Sequence, residues 1–302
     1  MVTAHRRILL AALLLVLALL APRPARATWS IVVLDRARRW IGVAGASCTP
    51  DVYGILNLRP GEGVLVAQAI GHDAAIQRAN QLLAAGVAPD SVLRVVTAPP
   101  VDPAPWFRQY AAASFAGDPA HAVAQFTGDS SAAYHGARRT GDGTTDVLVQ
   151  GNSLPGPAVL DRAVAAIGAA RRAGRPLYDV LMAGLAAGAA AGGDVRCGAQ
   201  RATSAFLVVA RPGERPYLPY LTLAVFRAAR GTAHAPGVNA VDVLAGRLAR
   251  WEASGGPRNP ITNEGLQPPA EAPARAPAGQ ASPNARVGAA QRRESHDRAR
   301  AR

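Results

Sequence analysis

Residues 28–47 of the chain read TWSIVVLDRARRWIGVAGAS and predict a β-hairpin. The first part, residues 28–35, is rich in β-branched and large apolar types, which favour a strand. A polar connection at residues 36–39 follows, and residues 40–47 return as a second strand. The small residues of this second strand allow another backbone to approach closely. The sequence therefore predicts an antiparallel pair of strands that begins at Thr28.

A secretory leader is predicted immediately before the hairpin. The Arg6-Arg7 pair is a positively charged start, residues 8–21 are an uninterrupted apolar stretch, and Ala25-Arg26-Ala27 is a small-residue cleavage site. The apolar stretch is too short to span a bilayer comfortably, and no transmembrane helix is predicted in the mature chain. Cleavage by signal peptidase after Ala27 predicts a secreted or periplasmic protein. The arginine pair is compatible with twin-arginine (Tat) export as well as with the general secretory (Sec) route.

The strongly basic composition does not predict a nucleic-acid partner. The formal net charge is +13 and the pI is near 11.2. All 33 basic residues are arginine, and with the abundance of Ala, Gly and Pro this indicates a coding bias toward G and C. The charge is spread along the chain and forms no basic stripe with interleaved aromatic residues. Because the chain has no lysine, its chemistry excludes a lysine Schiff base and a lysine ammonium that activates a nucleophile.

The two cysteines, Cys48 and Cys197, have two interpretations. In an oxidising compartment an even pair indicates a disulfide. Such a bond would close a loop of about 150 residues and stabilise the fold by roughly 4 to 5 kcal/mol in the chain-entropy model. The alternative is a pair of buried thiols.

The rest of the chain predicts an α+β fold. Strands are predicted at residues 63–70, 108–115, 121–127, 146–150, 202–211 and 217–228, and helices at 72–85, 90–96, 157–172, 176–191 and 241–251. Residues 129–145 are polar and rich in glycine, which predicts a loop. Strands followed by two helices, more strands and a last helix do not match a doubly wound parallel sheet. The order favours antiparallel sheets packed face to face with helices outside.

The composition changes at about Ser254. Pro, Ala, Gly, Arg and Gln dominate from there on, and large apolar residues nearly vanish. Such a segment cannot bury enough surface to offset its chain entropy, so residues 254–302 are predicted to be disordered. The predicted organisation is therefore a signal peptide at 1–27, one domain at 28–253 and a tail. The arginine-rich end of the tail is either a solvated segment or a contact to anionic cell-surface polymers.

Four short motifs together resemble a known family. They are Thr28-Trp29-Ser30-Ile31-Val32, Gly42-Val43-Ala44-Gly45-Ala46-Ser47-Cys48, Gln150-Gly151-Asn152 and Gly193-Asp194-x-Arg196-Cys197. Over roughly residues 28–251 the chain resembles the bacterial family numbered 1028 among the domains of unknown function. The resemblance implies the fold of the N-terminal nucleophile (Ntn) hydrolases, a four-layer αββα sandwich, and assigns no substrate. Cysteines at both matching positions look like a secreted subgroup, which favours the disulfide.

The Ntn class suggests a chemistry for Thr28. An N-terminal threonine combines a hydroxyl nucleophile with an α-amine of pKa about 8 that acts as its general base. Asn152 and the backbone N–H of Gly151 are the candidate donors to the oxyanion. Asp194 is expected to orient the amine, and Arg196 to bind a substrate carboxylate. The predicted substrate-binding set is completed by Ser47 and His135.

Each of these residues also has a structural interpretation. Thr28 suits the start of an edge strand, Asn152 suits a turn, and Asp194 suits a cap that pairs with Arg196. Proteasome-like threonine hydrolases use an acidic residue and a lysine near the nucleophile, and this chain has no lysine. The leading prediction is a secreted hydrolase of a small or peptide-like amide. The alternative is a non-catalytic ligand-binding or envelope-associated protein on the same fold.

No metal and no other cofactor is predicted. The chain has no His, Cys, Asp and Glu spacing typical of a metal site, and no glycine-rich phosphate loop leads from a strand into a helix. The expected partners are the substrate and signal peptidase. The sequence leaves undecided whether the protein forms a homo-oligomer, and closed assemblies occur among Ntn hydrolases.

Overall fold

The structure is a computed structural model that describes residues 28–130, 134–232 and 237–256. The predicted signal peptide and the predicted tail beyond residue 256 lie outside the described residues, so both stay predictions. Within the described ranges, none of the helices has the length and apolarity needed to cross a membrane.

Strands and helices alternate irregularly along the described residues. The strands are β1 (Thr28–Asp35), β2 (Trp40–Ser47), β3 (Leu56–Arg59), β4 (Gly63–Ala69), β5 (Arg108–Ser114), β6 (Val123–Thr127), β7 (Tyr134–Gly141), β8 (Thr145–Leu154), β9 (Ser204–Ala210) and β10 (Leu221–Val225). The helices are α1 (Asp73–Ala84), α2 (Pro89–Val96), α3 (Ala158–Arg172), α4 (Leu177–Ala190) and α5 (Ala240–Ala253). Short 3-10 helices lie at Tyr53–Ile55, Pro105–Phe107, Pro119–His121 and Val195–Gln200.

The strands form two antiparallel sheets. The first has the order β10-β9-β2-β1-β8-β7 and the second the order β3-β4-β5-β6. The predicted hairpin is confirmed, since β1 and β2 pair from Thr28 opposite Ser47 to Asp35 opposite Trp40. On its other side β1 pairs with β8, so Thr28 begins an inner strand and not an edge strand. The α+β class with two antiparallel sheets and helices is confirmed.

Side-chain alternation along β1 separates two parts of the core. Trp29, Ile31 and Val33 share one cluster with residues of α3 and α4. Val32 and Leu34 share another cluster with residues of the second sheet. A third cluster joins the second sheet to α1 and α2. Because the side-chain period of a strand is two, β1 is buried on both faces.

The layer between the two sheets has two chemically different ends. One, which we call the polar end, holds the buried side chains of Thr28, Ser30, Ser47, Gln68, Gln109, Gln150 and Asn152. The other, the apolar end, holds Val32, Leu34, Ile41, Val43, Val64, Val66 and Leu148. The same strands contribute to both ends, so the change from apolar to polar occurs along each strand.

The structure corrects the prediction for residues 129–145, which contain the edge strand β7. The sequence of β7 lacks apolar alternation because both of its faces are partly exposed, and Arg138 on one face pairs with Asp161 of α3 at 2.6 Å. A second unpredicted strand, the short β3, lies at Leu56–Arg59. The strands predicted at 121–127 and 217–228 are shorter, as β6 and β10.

Strand β8 is longer than predicted. It runs from Thr145 to Leu154, so Gly151 and Asn152 lie inside the strand, next to Gln150, instead of following it. This placement brings them beside the start of β1.

Candidate functional site

Three neighbouring strands meet in register at Thr28. Ser47 at the end of β2 lies directly opposite Thr28 on one side, and Asn152 of β8 lies directly opposite on the other. Cross-strand partners of this kind have side chains on the same face, about 5 Å apart. The Thr28 hydroxyl donates a hydrogen bond to Ser47 Oγ at 3.2 Å. The structure thus brings together three residues that the sequence analysis selected from segments far apart in the chain.

The predicted disulfide is confirmed. Cys48, the residue after β2, is bonded to Cys197, and their Cα atoms are 5.6 Å apart. The bond connects the end of β2 to the 3-10 helix at Val195–Gln200. It therefore holds the Asp194 and Arg196 segment at the same end of the first sheet as Thr28.

Asp194 is a fully buried carboxylate with several donors. Its Oδ2 accepts from the backbone N–H of Cys48 at 2.6 Å, and its Oδ1 accepts from the backbone N–H of Arg196 at 3.0 Å. The Arg196 guanidinium forms a bidentate contact with both oxygens, at 3.0 and 2.6 Å. A buried charge is tolerated when it is paired and hydrogen-bonded in this way. Asp194 therefore positions both the end of β2 and Arg196.

Arg196 connects this carboxylate to the threonine. Its Nη2 donates to Ser47 Oγ at 3.3 Å, and the same oxygen accepts from Thr28. The guanidinium charge therefore lies two hydrogen bonds from the Thr28 hydroxyl. The predicted substrate-binding residue Ser47 is the link between the two.

Two glutamines that sequence reasoning missed join the sheets at this end. Gln68 of β4 accepts from the Ser30 hydroxyl at 2.7 Å and donates to the Thr28 carbonyl at 3.2 Å. Its amide nitrogen also lies 2.6 Å from Gln109 Oε1 of β5. Gln109 is fully buried and Gln68 is 2% exposed. The sequence signal was a glutamine in each of two strands whose other residues are mostly apolar, GVLVAQA and RQYAAAS.

Gln109 extends this network to β8. Its Oε1 accepts from the Asn152 amide at 3.1 Å, and its amide nitrogen donates to the Gly151 carbonyl at 3.0 Å. Asn152 is 1% exposed. Most buried polar groups need such partners. Next to them, the buried amide nitrogen and oxygen of Gln150 have no hydrogen-bond partner among the described residues.

His135 lies near the same end. It falls in an irregular part of the β7–β8 pairing, between Tyr134 opposite Leu154 and Gly136 opposite Gly151. Its side chain is half-buried. The adjacent carbonyl of Gly136 accepts from the Gln109 amide at 3.3 Å.

A buried ion pair lies directly beside the glutamines. Asp102 is fully buried, and its carboxylate accepts from Arg108 Nε at 2.9 Å and from the backbone N–H of Ala104 at 3.0 Å. Burial by itself raises the pKa of Asp102, but the hydrogen bonds from Arg108 and Ala104 outweigh it and hold the pKa below its usual value. Arg108 is the first residue of β5 and precedes Gln109, so the ion pair anchors the start of that strand.

A cleft of about 1000 Å³ lies away from Thr28, at the connection of β1 to β2 and of α3 to α4. Its lining includes Trp40, Arg171, Arg175 and Leu177. Arg171 is paired with Asp142, and Arg175 with Asp179. Among the described residues, no group of three or more His, Cys, Asp or Glu side chains is placed to hold a metal ion.

Comparisons with known proteins agree on one family. A family model described as "Family of unknown function (DUF1028)" matches residues 28–231. The crystal structure of a DUF1028 protein from Silicibacter pomeroyi is similar, with a TM-score of 0.58 and 23% sequence identity over 74% of this chain and 86% of that chain. At this identity the likeness shows the fold alone. No curated protein matches the chain.

Proposed function

The chain belongs to the family of unknown function DUF1028, and from this premise we propose that it is an Ntn hydrolase of small or peptide-like amides. The observation that carries the proposal is the register of three strand ends, which sets Thr28 between Ser47 and Asn152. We also propose the four-layer αββα arrangement of that class. It is supported by three successive apolar clusters, which lie between helices and sheet, between the sheets, and between sheet and helices.

In the proposed reaction Thr28 supplies both nucleophile and base. Removal of residues 1–27 frees its α-amine, which takes the proton of the hydroxyl, directly or through one water, as Oγ1 attacks the amide carbon. Collapse of the tetrahedral intermediate breaks the C–N bond, and the protonated α-amine returns the proton to the leaving amine. Water then attacks the acyl ester on Thr28, with the α-amine again as base, and releases the carboxylic acid.

Asn152 is the stronger of the two candidate oxyanion donors. Its amide nitrogen has two hydrogens, and the described bond to Gln109 uses one of them. Gly151 is paired with Trp29 on one side and Gly136 on the other, and backbone N–H groups in such a ladder point toward neighbouring strands. The proposal therefore gives oxyanion stabilisation to Asn152. Gly151 positions the network through its carbonyl.

Arg196 takes the place of the lysine used by proteasome-like threonine hydrolases. Its guanidinium bonds to Ser47, which accepts from Thr28. A nearby positive charge disfavours the protonated form of an amine, so Arg196 favours the neutral α-amine that the mechanism needs. Asp194 and the disulfide hold Arg196 in this position. Arg196 also remains the candidate for binding a substrate carboxylate.

The proposal includes export and maturation. Signal peptidase would generate the threonine terminus that related hydrolases produce by self-cleavage, and the active protein would be secreted or periplasmic. Intact mass measurement of the exported protein should give a chain that begins at Thr28 and is two hydrogens lighter than its reduced form.

The mature terminus is the direct test of the hydrolase. The chain beginning at Thr28 is prepared beside a matched chain with one alanine before Thr28, and both are assayed on a panel of acyl and peptidyl p-nitroanilides. We expect hydrolysis only by the chain beginning at Thr28, because the extra residue converts the amine into a peptide. Thr28→Ala should abolish the hydrolysis, and Thr28→Ser should retain part of it. Equal hydrolysis by both chains would refute the mechanism.

One observation favours the alternative of a non-catalytic ligand-binding protein. The cleft of about 1000 Å³ lies at the opposite end of the first sheet from Thr28, so a ligand there would not approach the threonine. Binding in that cleft would tolerate an extra residue before Thr28. A ligand whose affinity is unchanged by this extension but lost in Trp40→Ala would support the alternative.

A further inference from the structure

Large apolar side chains are exposed unevenly among the described residues. Seven such side chains are more than a third exposed: Ile70, Val95, Trp106, Phe107, Val195, Tyr217 and Val238. Four of them, Ile70, Trp106, Phe107 and Val195, lie in segments that border the polar end. We call these four residues the apolar rim. Trp106 and Phe107 lie side by side, with ring centroids 6.0 Å apart, and exposed apolar surface of this kind is typical of binding sites.

Chain connectivity places the rim next to Thr28. Ile70 directly follows β4 and Phe107 directly precedes β5, and the Ile70 N–H donates to the Phe107 carbonyl at 3.3 Å. Gln68 lies two residues before Ile70, and Gln109 lies two residues after Phe107. The two glutamines are directly opposite each other in the pairing of β4 with β5. Because strands rise about 3.3 Å per residue, the rim backbone begins roughly 7 Å beyond the glutamine that donates to the Thr28 carbonyl.

Both sheets contribute segments to the rim. Phe107 directly precedes β5, and Gln109 of β5 donates to the Gly151 carbonyl of β8. On the side of the first sheet, Val195 directly follows Asp194, whose carboxylate holds Cys48. Exposed apolar side chains therefore flank the start of β1 from both sheets.

The rim is held in place by buried polar contacts. Arg108 Nη1 donates to the Ile70 carbonyl at 3.0 Å while its other nitrogens bind the buried Asp102. The Trp106 carbonyl accepts from the backbone N–H of Ser130 at 3.0 Å. A Cβ at Gly128 would lie 2.4 Å from the Trp106 backbone, so only glycine allows this approach. A binding surface fixed in advance loses less entropy when a ligand binds.

From these contacts we infer that the substrate amide carries a large, uncharged apolar acyl group, which binds against Trp106 and Phe107. The inference rests on the proposed function and names its substrate class. The acyl group stays bonded to Thr28 Oγ1 in the ester intermediate, so it must lie beside Thr28, where the rim is. The leaving amine departs and needs no such surface.

The test compares octanoyl with acetyl p-nitroanilide on the chain beginning at Thr28. Each methylene removed from water contributes about a fourfold gain, so covering half of the six extra methylenes predicts a preference in kcat/KM of roughly 50-fold. The double variant Trp106→Ala and Phe107→Ala should reduce this ratio to below about 5-fold. Tyr217→Ala, an exposed aromatic outside the rim, is the matched control and should keep the full ratio.

A second measurement separates the two proposals. Thr28→Ala cannot form the ester, so calorimetry with the same two anilides reports binding alone, with and without the rim substitutions. Hydrolysis of both anilides at equal rates would overturn the acyl inference and leave the hydrolase standing. Tight, rim-dependent binding of the octanoyl compound without hydrolysis by the parent chain would refute the hydrolase and keep the rim as an acyl site.

A second copy of the chain is the competing occupant. Sedimentation of the chain beginning at Thr28 should show no change of oligomeric state in the rim double variant. A dimer that dissociates in this variant, together with no octanoyl preference, would identify the rim as an interface between copies and would overturn the inference.

Discussion

The two ends of the layer between the sheets are built on the same strands and have opposite chemistry. At the apolar end, β1 contributes Val32 and Leu34, which pack on Val64 and Val66 of β4. Four residues earlier on the same face, β1 contributes Thr28 and Ser30, and the second sheet contributes glutamine side chains that contact them. Apolar contacts stabilise a fold wherever they form, whereas a buried polar group contributes only about 1 kcal/mol when it is hydrogen-bonded and destabilises the fold when it is not.

This contrast shows where the protein gives up stability. Seven buried polar side chains lie at one end of an otherwise apolar layer, and all but Gln150 are joined by hydrogen bonds within or between the two sheets. Departures of this kind are expected at functional sites. Within the layer, substitutions at the apolar end should therefore lower stability most, and substitutions at the polar end should lower activity with smaller effects on stability.

Removal of the disulfide, which holds the polar end from outside the layer, should give the largest change in the free energy of unfolding. The double variant Cys48→Ser and Cys197→Ser removes a crosslink of sequence separation 149 and should lower the free energy of unfolding by roughly 4 to 5 kcal/mol. Urea unfolding of oxidised parent and variant measures this. A loss below about 1 kcal/mol would mean that the unfolded chain is already compact.

Leu34→Ala tests the apolar end. The fully buried side chain belongs to the cluster between the two sheets, and its removal leaves a cavity that should cost about 2 to 5 kcal/mol. Leu34 lies six residues along β1 from Thr28, roughly 20 Å away, so the proposed hydrolysis, measured well below the unfolding midpoint, should stay within about twofold of the parent. Val95→Ala at the surface is the control. A stable but inactive Leu34→Ala variant would contradict the separation of the two ends.

Acid should weaken the anchor of the polar end. The pKa of Asp102 is lowered in the fold, so its stabilisation is complete above the unfolded value of about 3.9 and is lost as the pH falls through the lower folded value. Asp102→Asn leaves Arg108 buried without its charge partner and should cost about 3 kcal/mol at neutral pH. It should also flatten the stability profile below about pH 4. Unfolding from pH 2 to 6 measures both effects, with the half-exposed Asp161→Asn as control. A profile as steep as that of the parent would assign the acid sensitivity to other groups.

Gln109→Leu should cost about 1 to 3 kcal/mol, because it removes the described partner of Asn152 and one of the hydrogen bonds of Gln68. We expect kcat to fall far more than KM rises, since the variant misplaces the proposed oxyanion donor. Gln81→Leu, at an exposed position of α1, is the matched control. Unchanged kcat in Gln109→Leu would show that the network is only structural.

Thr28→Val gives the smallest change in stability and the largest in activity. The substitution keeps the shape and removes the hydrogen bond to Ser47, so the free energy of unfolding should fall by only about 1 kcal/mol. Hydrolysis by the chain beginning at residue 28 should disappear. Residual hydrolysis equal to that of Thr28→Ser would move the nucleophile to another residue, with Ser47 as the nearest hydroxyl.

The prediction from sequence succeeded where the signal is local. The β1–β2 hairpin and the five helices follow from runs of apolar residues with a clear period. Strand β7 was missed because an edge strand with arginines on both faces has no such period. Gln68 and Gln109 were missed for another reason, since one glutamine in a strand looks like an outward-facing residue until the sheet that covers it is known.

The sequence by itself determined that a two-stranded hairpin begins at Thr28 and that two cysteines were available to pair. It also made Asn152, Asp194 and Arg196 candidates for one site. Only the tertiary structure decided that these residues meet, and that two glutamines complete the site. The contacts from Gln68 to Thr28 and from Gln109 to Asn152 join positions 40 and 43 residues apart. Such contacts depend on the register of each strand and on which faces the two sheets turn toward each other, because a shift of one residue would turn every one of these side chains away.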